Sequence, residues 1–457
     1  MNLEGASHTI AAIATAIAAG EGSVAIVRIS GSDAEAIARQ LFQTAGRQEW
    51  ESHRVLYGHI WDPNKNERVD EALLLLMRAP RSFTRETVVE LHCHGGLVVV
   101  QRVLDLVLAA GARRAQPGEF SQRAFLNGRL DLTRAEALID LITARSQRAA
   151  MLAIAGLDGG VQKKVETLRQ KLLDQLAELE ARVDFEEDLP PLNPQVVITE
   201  LKNVAVELQT LIAAGNQGQM LREGLRVAIV GQPNVGKSSL LNQLCGNERA
   251  IVSDQAGTTR DLLDIEIIIE GVPITLLDTA GIRASEDKVE QLGIERSRGA
   301  LLSADIIILM FDINAGWSSA DENLRLEIPK GIPLLFVGNK IDLGKANCGI
   351  LNTINPLEIS AEKGIGIDNL KKELLLSCGF CVDNSSIQLA LNRRQQDLTQ
   401  AAAKALEGCF AAAEKQLPWD FWTIDLRESI AYLGEITGAE ISEAVLDRVF
   451  SKFCIGK

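Results

Sequence analysis

The chain has 457 residues, enough for about three domains of ordinary size. Its 47 Lys and Arg stand against 61 Asp and Glu, a net charge of −14 at pH 7, which excludes a polycation and confines any nucleic-acid contact to a local basic patch. No apolar run reaches the length of a membrane span, and seven cysteines at irregular spacing point to free thiols in a reducing, cytoplasmic setting.

Residues 9–19 are apolar and Ala-rich, but no Lys or Arg precedes them and Glu4 does, which argues against a secretory or transit peptide. Short β-like runs at Val24–Val27, Leu73–Leu76 and Val88–Leu91, with a helix around Val98–Ala110, predict an α+β unit over 1–118. His92-Cys93-His94 alternates across a strand, so its side chains diverge rather than converge on a metal. Between Arg113 and Arg148, seven arginines (113, 114, 123, 129, 134, 145, 148) face four acids, which suits a nucleic-acid patch or equally a solvated helix face. From about 120 to 215 the pattern is helical. Val165, Leu168, Leu172, Leu176, Leu179 and Val183 step by three and four, as do Leu201, Val204, Leu208 and Leu211. Pro190-Pro191 and Asn193-Pro194 read as the break between these two helices. Helical periodicity returns near the end, at Ile430, Leu433, Ile436, Ile441, Val445 and Val449.

The intervening segment carries phosphate chemistry. Gly231-Gln232-Pro233-Asn234-Val235-Gly236-Lys237-Ser238-Ser239 follows the apolar Val227–Val230 and precedes Leu240–Leu244, the strand–loop–helix context of a phosphate loop. Its amides and the helix N-terminus cradle a polyphosphate, Lys237 reaches the β and γ phosphates, and Ser238 holds Mg²⁺. After the strand-like Ile274–Leu277 come Asp278, Thr279, Ala280 and Gly281. Asp278 suits the Mg²⁺ water shell, and the Gly281 amide suits a γ-phosphate. After Pro333–Gly338 come Asn339, Lys340, Ile341 and Asp342. The Asp342 carboxylate accepts guanine N1–H and N2–H₂, a donor pair adenine lacks. Ser360-Ala361-Glu362-Lys363 ends a further apolar run and would back the base. The order of these elements describes a GTP site.

One element of that site is missing. Small signalling GTPases usually place Gln after D-x-x-G, and this chain has Ile282. Ser253, Asp254, Gln255, Ala256, Gly257, Thr258 and Thr259 form a candidate loop over the phosphates, with Thr259 a second Mg²⁺ ligand. Asn234 is equally a turn residue or a ligand for a monovalent cation standing in for an arginine finger, and Glu290 is a candidate to position the water. The helical stripes before and after this segment need partners. One bundle discontinuous in sequence is the simplest solution, and two separate helical domains are the alternative. The expected architecture is therefore multidomain α+β and α/β. An N-terminal α+β domain occupies 1–118, a helical domain 119–216 and 381–457, and an inserted P-loop GTPase domain with a doubly wound, mostly parallel sheet occupies 217–380. Cys378-Gly379-Phe380-Cys381 has redox spacing, but it follows the last strand–helix unit instead of opening one. Cys454 sits in a CaaX-like frame whose final Lys457 does not suit prenylation; it is either a reactive thiol beside that cation or a packed small side chain.

Over essentially its whole length the chain resembles the MnmE (TrmE) family of tRNA modification GTPases. The residues that carry the resemblance are Thr9–Thr15, Val24–Gly31, Ser82-Phe83-Thr84, Glu90-Leu91, His94-Gly95-Gly96, Pro117–Ser121, Arg123–Asn127, the GTPase signatures and the terminal Phe453–Lys457. The resemblance implies a homodimer whose N-terminal domain binds 5-formyl-tetrahydrofolate or a related reduced folate. It implies GTPase heads activated by K⁺-dependent dimerisation. It also implies an FAD-dependent partner, MnmG (GidA), in a heterotetramer or larger assembly. That assembly installs an aminomethyl or carboxymethylaminomethyl group at C5 of the wobble uridine of certain tRNAs. By the same resemblance Arg28, Glu90, Arg129 and Lys457 contact folate, Asn234, Ser253, Gln255 and Thr258 hold K⁺, and Glu290 orients water. Arg129 stands where Lys is frequent, Arg85 where Gly is usual, Ser253 where Thr is common, and Ala18–Gly22 replaces a more Pro/Gly-rich loop. A GTP-switched ribosome-assembly factor, with the flanking regions as docking surfaces, is the competing reading.

Overall fold

Alternating burial along the N-terminal strands builds a sheet with one apolar face. The structure is a computed structural model, and it describes residues 8–16, 22–184, 192–246, 265–278, 301–346, 354–380, 389–453 and 455–456. In chain order come β1 (Ile10–Ile13), β2 (Val24–Ser30), α1 (Ala34–Leu41), β3 (Phe42–Thr44), β4 (Val55–Asp62), β5 (Glu67–Met77), β6 (Val88–His94), α2 (Leu97–Ala109) and β7 (Arg113–Arg114). The sheet order is β3-β4-β5-β6-β2-β1-β7, antiparallel except for the β1–β7 pair. Ala25, Val27 and Ile29 of β2 and Val89, Leu91 and Cys93 of β6 point to one face, where α1 and α2 cover them. Each such buried aliphatic stabilises the fold by roughly 2 kcal/mol. The period of two therefore sends Arg28, Glu90 and His92 to the opposite face, and the β2–β6 register sets Arg28 directly across from Glu90.

Then follow α3 (Glu119–Leu126), α4 (Leu132–Thr143), α5 (Gln147–Leu157), α6 (Gly160–Asp184) and α7 (Pro194–Glu223). The second sheet and its helices run β8 (Leu225–Gly231), α8 (Lys237–Gly246), β9 (Ile265–Ile269), β10 (Val272–Asp278), β11 (Ile306–Asp312), α9 (Ser319–Glu327), β12 (Leu334–Asn339), β13 (Leu357–Glu358) and α10 (Ile367–Ser377). The last helices are α11 (Arg393–Glu414), α12 (Trp419–Thr437) and α13 (Glu443–Phe450). Contacts sort the chain into two compact units: Met1–Ile139 with Leu157–Pro191 and Gly408–Lys457, and Asp140–Gly156 with Leu192–Glu407. Helical residues are thus divided between the units.

In the first unit α6 packs along α12, two helices separated in sequence by the whole second sheet. Val165, Leu168, Leu172 and Leu179 on one helix and Leu426, Ile430, Leu433 and Ile436 on the other are buried. Arg427–Glu180 (2.7 Å) and Arg169–Glu440 (3.1 Å) flank them. The expected stripe on α6 ends early, since Val183 is exposed. The Asn193-Pro194 break is also the start of α7: the Asn193 side chain accepts from the Gln195 amide, and Pro194 fills the first turn, where no amide bond is lost.

The Pro117–Asn127 motif builds a buried charge network in the same unit. Gly118 has φ 70°, and a Cβ there would lie 2.2 Å from the Phe450 carbonyl oxygen, so only Gly admits the approach. One residue on, Glu119 is bridged by Arg113 and Arg123. Arg123 also donates to Glu86 (3.1 Å) and to the His8 carbonyl (2.8 Å), and Ser30 joins Glu86 to Thr84. Burial pushes the Glu119 carboxyl up, but the Arg113 hydrogen bond and the Gln116 amide outweigh it and hold the group below the usual range. Arg123→Met should therefore cost about 2–3 kcal/mol, because it leaves Glu119 with Arg113 alone and the half-buried Glu86 with only the Ser30 hydroxyl. A guanidinium chloride midpoint no lower than wild type would contradict the network's role.

In the second unit the sheet order is β13-β12-β11-β8-β10-β9, parallel throughout except for the antiparallel edge strand β9. This is the doubly wound, mostly parallel sheet expected for a P-loop domain. Such sheets bind ligands beyond the carboxyl ends of their strands. Arg222 near the end of α7 donates to the carbonyls of Ala390 and Leu391, both at 2.7 Å, and pairs with Asp140 at 2.8 Å. Segments before and after the sheet are thereby joined here as well. Among the described residues no helix is long and apolar enough to cross a membrane.

Candidate functional site

Four consecutive buried residues, Val227–Val230, fix β8 in the sheet interior and deliver the chain to the phosphate loop at the strand's carboxyl end. Asn234 takes φ 65° and Gly236 φ 100°, two left-handed residues that curl the loop before α8 begins at Lys237. Asn is one of the few residues that adopts this conformation readily, so the turn itself gives one reason for Asn234. The Lys237 ammonium donates to the carbonyls of Gly231 (2.7 Å) and Gln232 (2.8 Å), which sets its charge across the loop.

Asn339, at the end of β12, joins the two halves of the site. Its Nδ2 donates to the Val235 carbonyl (2.8 Å), and its Oδ1 accepts from the Ala361 amide (2.9 Å). The residue is only 3% exposed, so both bonds are made away from competing water. A Cβ at Gly236 would sit 2.3 Å from Asn339 Nδ2, a second reason for Gly at that position.

On the base side, Lys340 has φ 68°, and its Nζ donates to Asp312 Oδ2 at 2.8 Å. Burial raises the Asp312 carboxyl, but the Lys340 bond and the amides of Asn314 and Ala315 outweigh it and hold the group low. Asp342 is also held below the usual range, first by the Ser360 hydroxyl and further by Lys363, whose Nζ lies 3.4 Å from Oδ2. A cavity of about 380 Å³ spans both sides. Asn234, Gly236, Lys237, Ser238 and Ser239 line one end, and Asn339, Lys340, Asp342 and Ser360 line the other. Leu343 and Glu362 line it too; Glu362 belongs to the Ser360–Lys363 element, while no motif marks Leu343. It had also missed Asp312, although a single acid ending the apolar run Ile306–Phe311 was a usable signal. Val235 and Ala361 join through the Asn339 bonds. Asp278 closes β10, while Ser253, Asp254, Gln255, Ala256, Gly257, Thr258, Thr259, Thr279, Ala280, Gly281, Glu290, Cys454 and Lys457 lie outside the described residues.

The first unit holds a second polar constellation. Arg28 Nε donates to Glu90 Oε1 (2.8 Å), and its Nη1 donates to the Gly456 carbonyl (3.0 Å), which brings the chain's last segment to the sheet. The other Glu90 oxygen meets His92 Nε2 at 3.3 Å. His92 and then Arg28 hold the carboxyl low against its burial. His92 was read only as part of a weak metal pattern, but its place on the Arg28–Glu90 face makes it a member of this cluster. Cys93 is buried on the other face and His94 pairs with Asp70, so the three side chains diverge as expected. Among the described residues no group of His, Cys, Asp and Glu could hold a metal ion. Arg129 does not join the Arg28–Glu90 pair directly. It lies 5.9 Å over the Phe83 ring, while Arg28 lies 5.7 Å over Phe120, and Phe83 packs against the small cluster containing Phe120.

Most of the Arg113–Arg148 run is engaged internally, which does not favour the nucleic-acid patch. Arg113 and Arg123 bind Glu119, Arg134 meets Asp131, Arg145 binds Glu266, and Arg148 donates to the Glu270 carbonyl. Burial pushes the Cys378 thiol up to about 11, so it is no redox thiolate at neutral pH.

Two family models match this chain: the MnmE helical domain over residues 132–454, and the N-terminus of the GTP-binding protein TrmE over 9–129. The chain belongs to the MnmE family. It is 66% identical to the tRNA modification GTPase MnmE of Synechococcus sp. (strain RCC307) over 457 residues, covering 100% of both chains. It is 57% identical to the enzyme of the same name from Prochlorococcus marinus (strain MIT 9313), covering 98% of each. Among solved structures, Era of Aquifex aeolicus bound to GDP and aluminium fluoride matches at 34% identity. That match covers 40% of this chain and 66% of that one, with a TM-score of 0.29.

The Asp342 environment predicts a pH profile. A carboxyl with a lowered pKa keeps its charge as pH falls, so the part of GTP affinity that Asp342→Asn removes should persist through the usual Asp range and be lost only below it. Asp342→Asn exchanges an acceptor for a donor and should weaken GTP binding by roughly a hundredfold or more while improving xanthosine triphosphate binding. Mant-nucleotide titrations check both.

Proposed function

We propose that the chain hydrolyses GTP to drive a tRNA-modifying complex. In that complex it acts with an FAD-dependent partner, MnmG (GidA), to build an aminomethyl or carboxymethylaminomethyl group at C5 of the wobble uridine. The observation that carries the proposal is one cavity lined by the phosphate-loop residues and by Asp342, with Asn339 bonded to Val235 on one side and Ala361 on the other, in a chain that matches MnmE relatives end to end. It is a GTP hydrolase of tRNA modification, with GTP and Mg²⁺ as its ligands. The domains are 1–118 for dimerisation and folate, 119–216 with 381–457 as one helical domain, and 217–380 as the GTPase. The α6–α12 and Arg222 contacts support a helical part interrupted by the GTPase. Membership over the full length favours this reading over a ribosome-assembly factor, for which the N-terminal match would be unexplained.

Within the site, the loop amides and Lys237 bind the β and γ phosphates, and Ser238 and Thr259 hold Mg²⁺. Lys237 and Ser238 already face the cavity. Asp342 reads guanine and excludes adenine. Since Ile282 cannot orient water, Glu290 positions it for attack on the γ-phosphorus as the bond to GDP breaks. A K⁺ held by Asn234, Ser253, Gln255 and Thr258 supplies the positive charge that an arginine finger would otherwise bring when two heads meet. In the first unit Arg28, Glu90, Arg129 and Lys457 hold the reduced folate. The cations suit glutamyl carboxylates. The Glu90–His92 contact (3.3 Å) is longer than the Arg28 bond (2.8 Å), and it is the one a pterin donor edge would replace.

Anticodon nucleosides of tRNA from cells lacking this chain should have lost the C5 substituent; an unchanged profile would refute the assignment. GTP turnover should be many-fold faster in K⁺ than in Na⁺. Asn234→Ala should erase that difference with nucleotide affinity kept, and Glu290→Ala should slow turnover alone. At about 100 times its Kd a reduced folate should stabilise the chain by roughly 2.7 kcal/mol, read as a rise in Tm. No shift would remove folate from the account.

A further inference from the structure

The first unit contains a cavity of about 670 Å³ whose lining includes, of the residues named above for folate, Arg129 alone. Arg81, Arg85 and Arg129 line it with His53, Met77 and Phe83, and no Asp or Glu is among its lining residues. In a chain with 61 acids against 47 Lys and Arg, three guanidinium groups around one acid-free hollow select for a ligand carrying several anionic groups. Phe83 adds an apolar floor beneath Arg129. The backbone points the same way. Arg85 holds φ 59°, a conformation that disfavours any side chain, at a position where the family resemblance leads one to expect Gly. Its Nη1 donates to the Asn127 carbonyl at 2.9 Å, which orients the fork and leaves its other N–H donors for an acceptor.

We propose that this cavity binds the γ-linked oligoglutamyl tail of the reduced folate, so that the chain prefers polyglutamylated folate over the monoglutamate. The proposal rests on the folate reading and deepens it. A monoglutamate carries two carboxylates, which Arg129 and Lys457 already match. Each further γ-linked glutamate consumes one carboxyl in its amide and brings two, a net gain of one. Arg81 and Arg85 are surplus for a monoglutamate and supply the two cations that a triglutamate's additional carboxylates require. The tail site meets the folate reading at Arg129, which lines the cavity above Phe83. Arg28 caps Phe120, Arg129 caps Phe83, and Phe83 packs on the cluster that holds Phe120.

Calorimetric titration of the full chain with 5-formyl-tetrahydrofolate bearing one, three or five glutamates tests this. The triglutamate should bind about tenfold or more tighter than the monoglutamate, and added salt should shrink the difference. The double variant Arg81→Ala/Arg85→Gly should bind the monoglutamate as wild type does and lose the preference. Glycine at 85 relieves the strained φ, and unchanged monoglutamate affinity certifies the fold of the first unit. Equal wild-type affinity for all three forms overturns the inference and leaves the folate reading intact. Failure of every form to bind overturns both. A preference that survives in the double variant places the tail elsewhere, and a double variant that keeps the preference but loses tRNA affinity makes the cavity an RNA contact; either result overturns the assignment.

Discussion

The two hydrogen bonds of one buried amide, Asn339, hold the nucleotide site together. A carboxamide offers a donor and an acceptor at fixed separation, and here each is committed to a backbone group of a different loop, Val235 on the phosphate side and Ala361 on the base side. Both loops leave strands of one parallel sheet, and the register that sets Asn339 beside Asp312 decides where the amide arrives. The Lys340–Asp312 bond and the Ser360–Asp342 contact then hold Lys340 and Asp342 in the wall of the same cavity. Because the amide is shielded from water, losing either partner would leave an unsatisfied polar group, which costs more than the bond alone is worth.

The first unit depends on a comparable constraint of opposite polarity. The Pro117–Asn127 segment looks like a recognition motif in the sequence, but its side chains turn inward. Glu119 and Arg123 are nearly fully buried, and with Arg113, Glu86, Ser30 and Thr84 they tie α3 to β2 and to the loop before β6. That network borders the sheet face on which Arg28 and Glu90 stand, and Phe120, between Glu119 and Arg123, is the ring under Arg28. Rigidity in this motif thus serves the polar face beside it.

Legibility followed the range of the interaction. The phosphate loop was readable because glycine conformation, a strand's burial and a helix start are set within a dozen residues. The strands carrying Val24–Val27 and Val88–Leu91 and the helix near Val98–Ala110 were readable from their periods of two and 3.6 for the same reason. The helical stripes were recognisable, but not where they stop: Val183 continues the pattern and is exposed. Asn193-Pro194 showed the break but not that the same two residues cap the next helix, since Asn and Pro signal both. The arginine run shows the limit clearly, because charge spacing alone does not distinguish a solvated cation from one paired across the fold, as Arg145 is with Glu266.

The order of the nucleotide-site elements and the family of the whole chain are legible from residue type at short spacing. Only the tertiary structure decided the partners: Asn339 between two loops, Asp312 under Lys340, His92 against Glu90, Arg28 on the Gly456 carbonyl, and three arginines around one acid-free cavity. These pairings join residues tens to hundreds of positions apart. They depend on strand register and loop closure, and no local propensity carries that information.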